Sequence, residues 1–165
     1  MLEKNIREKI VVIDKIENWE NAVKLAAKPL LLDNSITENC VRSMVNNVKK
    51  FGAYIVINDV IALAHSRPED GVNRNCLSLL KINEGVVFDE ALDSKVYLIF
   101  VLGAVDNRSH MSILLKLMEI IDNEELISKL VESSSINEVT ELLEENYKNL
   151  TRAEKVCIIE FIKIN

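Results

Sequence analysis

Apolar residues along this chain fall into two patterns: short unbroken β-branched or aliphatic runs, and stripes that recur every three or four positions. Ile10 to Ile13 is a run of the first kind and predicts a buried strand. Trp19, Val23, Ala26, Ala27 and Leu30 then recur at helical spacing behind Asn18, a residue suited to an N-cap. Pro29 should kink or end that helix nearby. Ser35-Ile-Thr-Glu38 has the form of a capping box, and Val41, Met44, Val45 and Val48 follow on one helical face. Lys49 and Lys50 favour the negative end of that helix, and Gly52 can close it.

From Ala53 the pattern turns to strand. Tyr54 to Ile57 and Ile61 to Ala64 read as two strands separated by the turn-forming pair Asn58-Asp59. Leu77 to Ile82 is a third, ended by Asn83-Glu84-Gly85, with Val86 to Phe88 a short extension. Val96 to Leu102 is wholly apolar and predicts a central strand. Beyond it the pattern is helical: Asp106 to Ser109 offers N-caps for Met111 to Ile121, and Glu124 to Val131 forms another helix. Ser135-Ile-Asn-Glu138 is a second capping box, leading into Val139, Leu142, Leu143 and Tyr147. No repeat or Pro/Gly-rich linker divides the chain. The expected fold is a single-domain α/β sandwich over residues 1–148, with a mixed, mostly parallel sheet of about four or five strands and helices on both faces. Residues 149–165 are expected to form a C-terminal helical extension, with Cys157, Ile158, Phe161 and Ile162 on one side. It packs on its own domain or, alternatively, contacts a partner or a second copy in a homodimer.

Composition narrows the function. With 165 residues and a net charge of −6, the chain lacks the cationic excess of a general nucleic-acid binder. Its three cysteines, Cys40, Cys76 and Cys157, are far apart and suit free thiols in a reducing cytoplasm. The N-terminus is too charged for a signal peptide, and the run from Val96 to Val105 is about half of a membrane span, so a soluble, cytoplasmic protein is expected.

The candidate chemistry lies at two histidines. His65 ends the run Ile61 to Ala64, and His110 follows Val96 to Leu102 at the start of the next helix. If those strands are neighbours, both imidazoles meet at one sheet edge. A neutral imidazole with an ordinary pKa of about 6.5 is a competent nucleophile. The helix N-terminus at His110 offers N–H groups and a positive dipole end to an anionic phosphoryl group. Arg67 could stabilise phosphoryl charge, and Asp106, Glu69 or Asp70 could fix an imidazole tautomer. The plainer alternatives are a strand-ending His65, a solvated Arg67 and an Asp106 that only caps a helix. Two histidines without a matched carboxylate or cysteine spacing make a poor zinc site. Gly-x-Ser-x-Gly, Gly-x-Gly-x-x-Gly and Gly-Lys-Ser/Thr elements are absent, so hydrolase, dinucleotide and P-loop readings lack their parts.

Between about Glu8 and Tyr147 the chain resembles the EIIA component of the bacterial sugar phosphotransferase system, of the mannitol/fructose (type 2) superfamily, and is most similar to its ascorbate-type branch. The resemblance rests on Phe51-Gly-Ala-Tyr-Ile-Val-Ile57 leading to Ile61-Ala-Leu-Ala-His65, on Arg67-Pro-Glu-Asp-Gly-Val72, and on Ala104-Val-Asp-Asn-Arg-Ser-His110. It implies that His65 is the phosphorylated residue and His110 its neighbour in the pocket. The implied donor is phospho-HPr and the implied acceptor is a cysteine of EIIB, which phosphorylates a sugar during transport by the membrane protein EIIC. No cofactor and no metal are implied. The chain departs from the family in carrying Ala64 and Ser66 beside His65, Asp59-Val60 for a Pro-Gly pair, and Val45-Asn-Asn-Val48 where the mannitol branch has an arginine. Two other roles fit the same residues: a regulatory module phosphorylated on His65 that signals to a partner without feeding a transporter, and a silent relative without phosphotransfer.

Overall fold

In the computed structural model, which describes residues 7–149, the aliphatic runs assemble into one four-stranded sheet. Its strands are β1 (Ile10–Ile13), β2 (Ile61–His65), β3 (Cys76–Val86) and β4 (Val96–Gly103), in the order β1-β3-β4-β2. β1 pairs with β3 and β2 with β4 in parallel, while β3 and β4 form an antiparallel hairpin. Ile61 to Ala64 are all buried because helices cover both sheet faces, which explains why β2 reads as a continuous apolar run.

Helices α1 (Trp19–Leu32) and α2 (Glu38–Phe51) cover one face. Ala22, Val23, Ala26, Ala27 and Leu30 bring α1 close to the sheet, and Ser78 of β3 donates a hydrogen bond to the Ala26 carbonyl at 2.6 Å. Asn18 caps α1 by accepting the Asn21 N–H at 2.9 Å, and the helix stops at Leu32, one turn past Pro29. The opposite face is covered by α3 (Asn107–Ile121), α4 (Glu124–Glu132) and α5 (Ile136–Asn149), packed over Leu63, Leu79, Leu98, Phe100 and Leu102. Lys81, also on β3, is buried; it donates to Asn83 Oδ1 at 3.0 Å, and Asn83 donates in turn to the Ser134 carbonyl at 3.2 Å between α4 and α5.

Three local expectations are corrected. Tyr54 to Ile57 is a turn with one bridge, Val56 to Ala62, and not a strand; the Ile57 N–H meets the Ile61 carbonyl at 2.9 Å, and Leu63 N–H meets the Ile55 carbonyl at 2.8 Å. Positive φ at Gly52 (81°) and Asp59 (64°) reverses the chain on either side, leaving too few residues to run along β2. β3 does not end at Asn83 but continues to Val86, past an irregularity between Lys81 and Val86, because it pairs with β4 there. Ser35 does not cap α2. Its hydroxyl donates to Asp33 Oδ1 at 2.6 Å and accepts from Arg74 Nε at 2.9 Å, and Thr37 occupies the N-cap position instead. Ahead of α5 the box forms in half: Ser135 Oγ accepts the Glu138 N–H at 3.3 Å, while the Glu138 carboxylate accepts the N–H of Ser134, one residue before the cap, at 2.6 Å. The extension expected at 149–165 lies outside the described residues apart from Asn149, which closes α5. Among the described residues, no helix is long and apolar enough to cross a membrane.

Candidate functional site

The sheet order makes neighbours of the two strands that carry the histidines. His65 stands at the C-terminal end of β2, in register with Leu102 near the end of β4. After Gly103 the chain turns through Ala104 and Val105 into α3, whose first turn brings His110 back over the strand ends. The imidazoles of His65 and His110 lie 5.6 Å apart between centroids, inclined at 51°.

The tautomer of His65 follows from its hydrogen bond. Nδ1 lies 3.1 Å from the Leu63 carbonyl oxygen, which can only accept, so Nδ1 carries the proton and Nε2 keeps the lone pair. His110 is half-buried, and burial first, then the neighbouring His65, pushes its pKa below the usual value. It therefore stays neutral at neutral pH beside the ring it adjoins.

Asp106 sits at the N-cap of α3 in extended backbone. Its carboxylate accepts the Ser109 N–H at 2.7 Å and the Ser109 hydroxyl at 3.1 Å, and its carbonyl accepts the His110 N–H at 2.9 Å. The Ser109 N–H, above all, holds the Asp106 carboxyl below its ordinary range. Two corrections follow. The hydrogen bond that orients His65 comes from a backbone carbonyl rather than from Asp106, and the N–H groups of Ser109 and His110 are satisfied within the helix instead of pointing at a ligand. The helix dipole remains available to an anion. Asp106 acts on the site by fixing where α3 begins.

Arg67 is exposed, two residues past His65, at the head of a short 3-10 turn, Pro68–Asp70. Its N–H donates to Asp70 Oδ2 at 3.1 Å. The loop that follows is latched to the start of α2. Thr37 N–H bonds the Gly71 carbonyl at 2.9 Å, Asn39 Nδ2 bonds the Asp70 carbonyl at 2.8 Å, and Arg74 Nη2 bonds the Asp33 carbonyl at 2.7 Å. Gly71 is required here: its φ is 116°, and a Cβ would come within 2.0 Å of Thr37 Oγ1. Beneath the site Ser66 is buried against Cys40, Oγ to Sγ 3.0 Å. Burial raises the pKa of the Cys40 thiol and pushes Cys76 up to about 12, so both stay protonated and unreactive.

Sequence reasoning missed two contributors. The Leu63 carbonyl has no sequence signature, since any residue supplies one. Tyr54 was visible as part of a β-rich run and of the family-like stretch Phe51 to Ile57 but with no role at the site, yet its ring stands edge-on to His65 at 6.3 Å between centroids and 78°, with Phe51 stacked T-shaped behind it at 6.1 Å. Phe51 and Tyr54 are both exposed, giving His65 an apolar flank. Among the described residues no cluster of three or more His, Cys, Asp or Glu is arranged to hold a metal ion.

Comparison with known proteins gives this geometry a family. Residues 5–146 match the family described as "Phosphoenolpyruvate-dependent sugar phosphotransferase system, EIIA 2". A mannitol-specific cryptic phosphotransferase enzyme IIA component of Escherichia coli is 28% identical over 134 residues, covering 81% of this chain and 90% of its own. An ascorbate-specific phosphotransferase-system EIIA component of E. coli is 26% identical over 129 residues, 78% of this chain and 84% of its own. Among solved structures, enzyme IIA for mannitol in complex with phosphorylated enzyme IIB, from E. coli, superimposes with a TM-score of 0.71 at 26% identity, covering 84% of this chain and 95% of that one. Most of the described fold and both histidine motifs lie inside the matched span. This chain belongs to the type 2 EIIA family of the sugar phosphotransferase system.

Proposed function

We propose that the chain is a cytoplasmic phosphocarrier in which His65 accepts a phosphoryl group from phospho-HPr and passes it to a cysteine of EIIB, for sugar uptake through EIIC. The observation that carries this reading is the pairing of His65 and His110 with Nδ1 of His65 tied to the Leu63 carbonyl. The Nε2 lone pair attacks phosphorus, the N–P bond forms, and the donor leaves with the electron pair of its own bond to phosphorus. The ring then carries positive charge, and the Nδ1–H already pointing at Leu63 O stabilises it through a stronger, charge-assisted hydrogen bond. Attack by the EIIB thiolate on phosphorus reverses the charge, breaking the N–P bond and returning a neutral imidazole. Positioning and electrostatics carry both steps without a bound cofactor. Neutral His110 can donate a hydrogen bond to a phosphoryl oxygen, and Arg67 and the α3 dipole add positive potential. The exposed apolar flank of Phe51 and Tyr54 suits protein donors and acceptors that must reach Nε2, and the relative solved with phosphorylated enzyme IIB supports EIIB as the acceptor.

Incubation with enzyme I, HPr and phosphoenolpyruvate, read by intact mass, should add one phosphoryl group to the chain and none to His65→Ala. A labelled chain should then pass its phosphate to the EIIB thiol. Absence of added mass, or its persistence in His65→Ala, overturns the proposal; phosphate that never moves to EIIB supports the regulatory role instead.

A further inference from the structure

His65 is held from more than one direction. On the β4 side stands His110, and the Leu63 carbonyl holds Nδ1 from within the strand. Among the described residues, the other edge of β2 carries no further strand. It is met by the turn after α2, through the Leu63 N–H to Ile55 carbonyl bond at 2.8 Å, the Ile57 N–H to Ile61 carbonyl bond at 2.9 Å and the bridge from Val56 to Ala62. Tyr54 is the residue of that turn which reaches His65, ring edge to ring face at 6.3 Å. Phe51, in the last turn of α2, braces it, packed against its ring at 6.1 Å between centroids and 88°. Gly52, with φ of 81°, makes the chain reversal that folds Tyr54 back toward β2.

We infer that Tyr54, braced by Phe51, is a positioning residue that holds the His65 imidazole in the rotamer and tautomer presenting Nε2 to a partner. The inference rests on the phosphocarrier reading for its kinetic consequence but not for its structural one. An imidazole on a strand end, with a single neutral hydrogen bond to its own strand, retains freedom about its side-chain torsions. A wall at the free edge removes the rotamer that swings the ring away from His110. Misplacing a reacting atom by about 1 Å can cost about a hundredfold in rate, so one unrestrained torsion is sufficient to matter.

Two readouts test it on the full chain. The first needs no partner: long-range 15N–1H correlation spectra of His65 report which ring nitrogen is protonated. The wild type should show a predominantly Nδ1–H imidazole, Tyr54→Ala a mixture of tautomers, and Tyr54→Phe, which keeps the ring, close to the wild-type pattern. The second is the rate of phosphorylation by phospho-HPr at saturating donor, expected to fall about tenfold in Tyr54→Ala and to be largely rescued in Tyr54→Phe. Unchanged His65 nitrogen shifts in a folded Tyr54→Ala overturn the inference. If the wild type takes no phosphate while the tautomer still shifts in Tyr54→Ala, the phosphocarrier proposal fails and the positioning role stands. If Tyr54→Phe is as impaired as Tyr54→Ala in both readouts, the ring is not the positioning element and the inference fails.

Discussion

Replacing Gly103 with alanine puts a methyl group where the end of β4 is in close contact with three neighbours. A Cβ at this position would lie 2.6 Å from Cys76 Sγ and 3.2 Å from both Ile36 Cγ2 and Val72 Cγ1. The first distance is roughly an ångström inside an unstrained contact of about 3.5–4.0 Å, whereas the other two require small adjustments. Cys76 is buried and in register with Gly103, so its sulfur has little free space to enter. Overpacking of this kind costs about 1–3 kcal/mol, or about 2–4 °C in melting temperature per kcal/mol for a chain of this size. Removing the sulfur should relieve it. Cys76→Ala alone should lose about 1 kcal/mol of buried apolar contact, and Gly103→Ala/Cys76→Ala should be more stable than the sum of the single changes by about 1–2 kcal/mol. Urea denaturation of the four proteins, with midpoints compared at constant slope, measures that coupling. The strain also has a functional address, because Gly103 leads directly through Ala104–Asp106 to the helix bearing His110. Phosphorylation of His65 should slow in Gly103→Ala and recover in the double variant. An unchanged urea midpoint for Gly103→Ala, or strict additivity in the double variant, would refute the packing argument.

Two further substitutions probe charge. The pKa of His110 is lowered in the fold, first by burial and then by His65, so the unfolded chain takes up the proton first on acidification. The stability it contributes is present above about pH 6.5 and is lost as pH falls through the folded pKa; His110→Gln should flatten the decline in urea midpoint between about pH 7 and 5.5, and parallel declines would sink the idea. Burial of Asp33 pushes its carboxyl up, but hydrogen bonds from Lys9 and Ser35 outweigh this and hold it at about 2 against an ordinary 3.8. That stability is present above the ordinary value and lost as pH falls toward about 2, so Asp33→Asn should destabilise by about 1–2 kcal/mol at pH 7, with a smaller difference at pH 3. Equal urea midpoints at pH 7 would count against it.

Legibility of the sequence followed how each element is stabilised. Val96 to Leu102 is buried on both faces, and burial on both faces leaves its mark as an unbroken apolar run. Asp106 was readable as a cap because capping chemistry is local, and the structure has it accepting the Ser109 N–H at 2.7 Å. Ser35 misled for the complementary reason: its local pattern fits a capping box, but Arg74, thirty-nine positions away, takes the hydroxyl at 2.9 Å. Tyr54 to Ile57 has strand composition without strand length, since the two chain reversals flanking it are visible only as φ angles. The adjacency of His65 and His110 depended on β2 lying next to β4, a long-range pairing that periodicity alone does not determine. The orienting bond to His65 was beyond sequence reading because its acceptor is main chain.

The Leu63 carbonyl, by occupying Nδ1, leaves His65 with one reactive atom, and that atom opens on one end of the sheet. In a carrier, donor and acceptor must therefore visit the same doorway in turn, and no ternary complex can hand the phosphoryl group across. Each partner inhibits the other by occupancy. Throughput is then set by how quickly a spent donor departs, which favours short-lived complexes over tight ones. Overproducing either partner without the other should slow the relay.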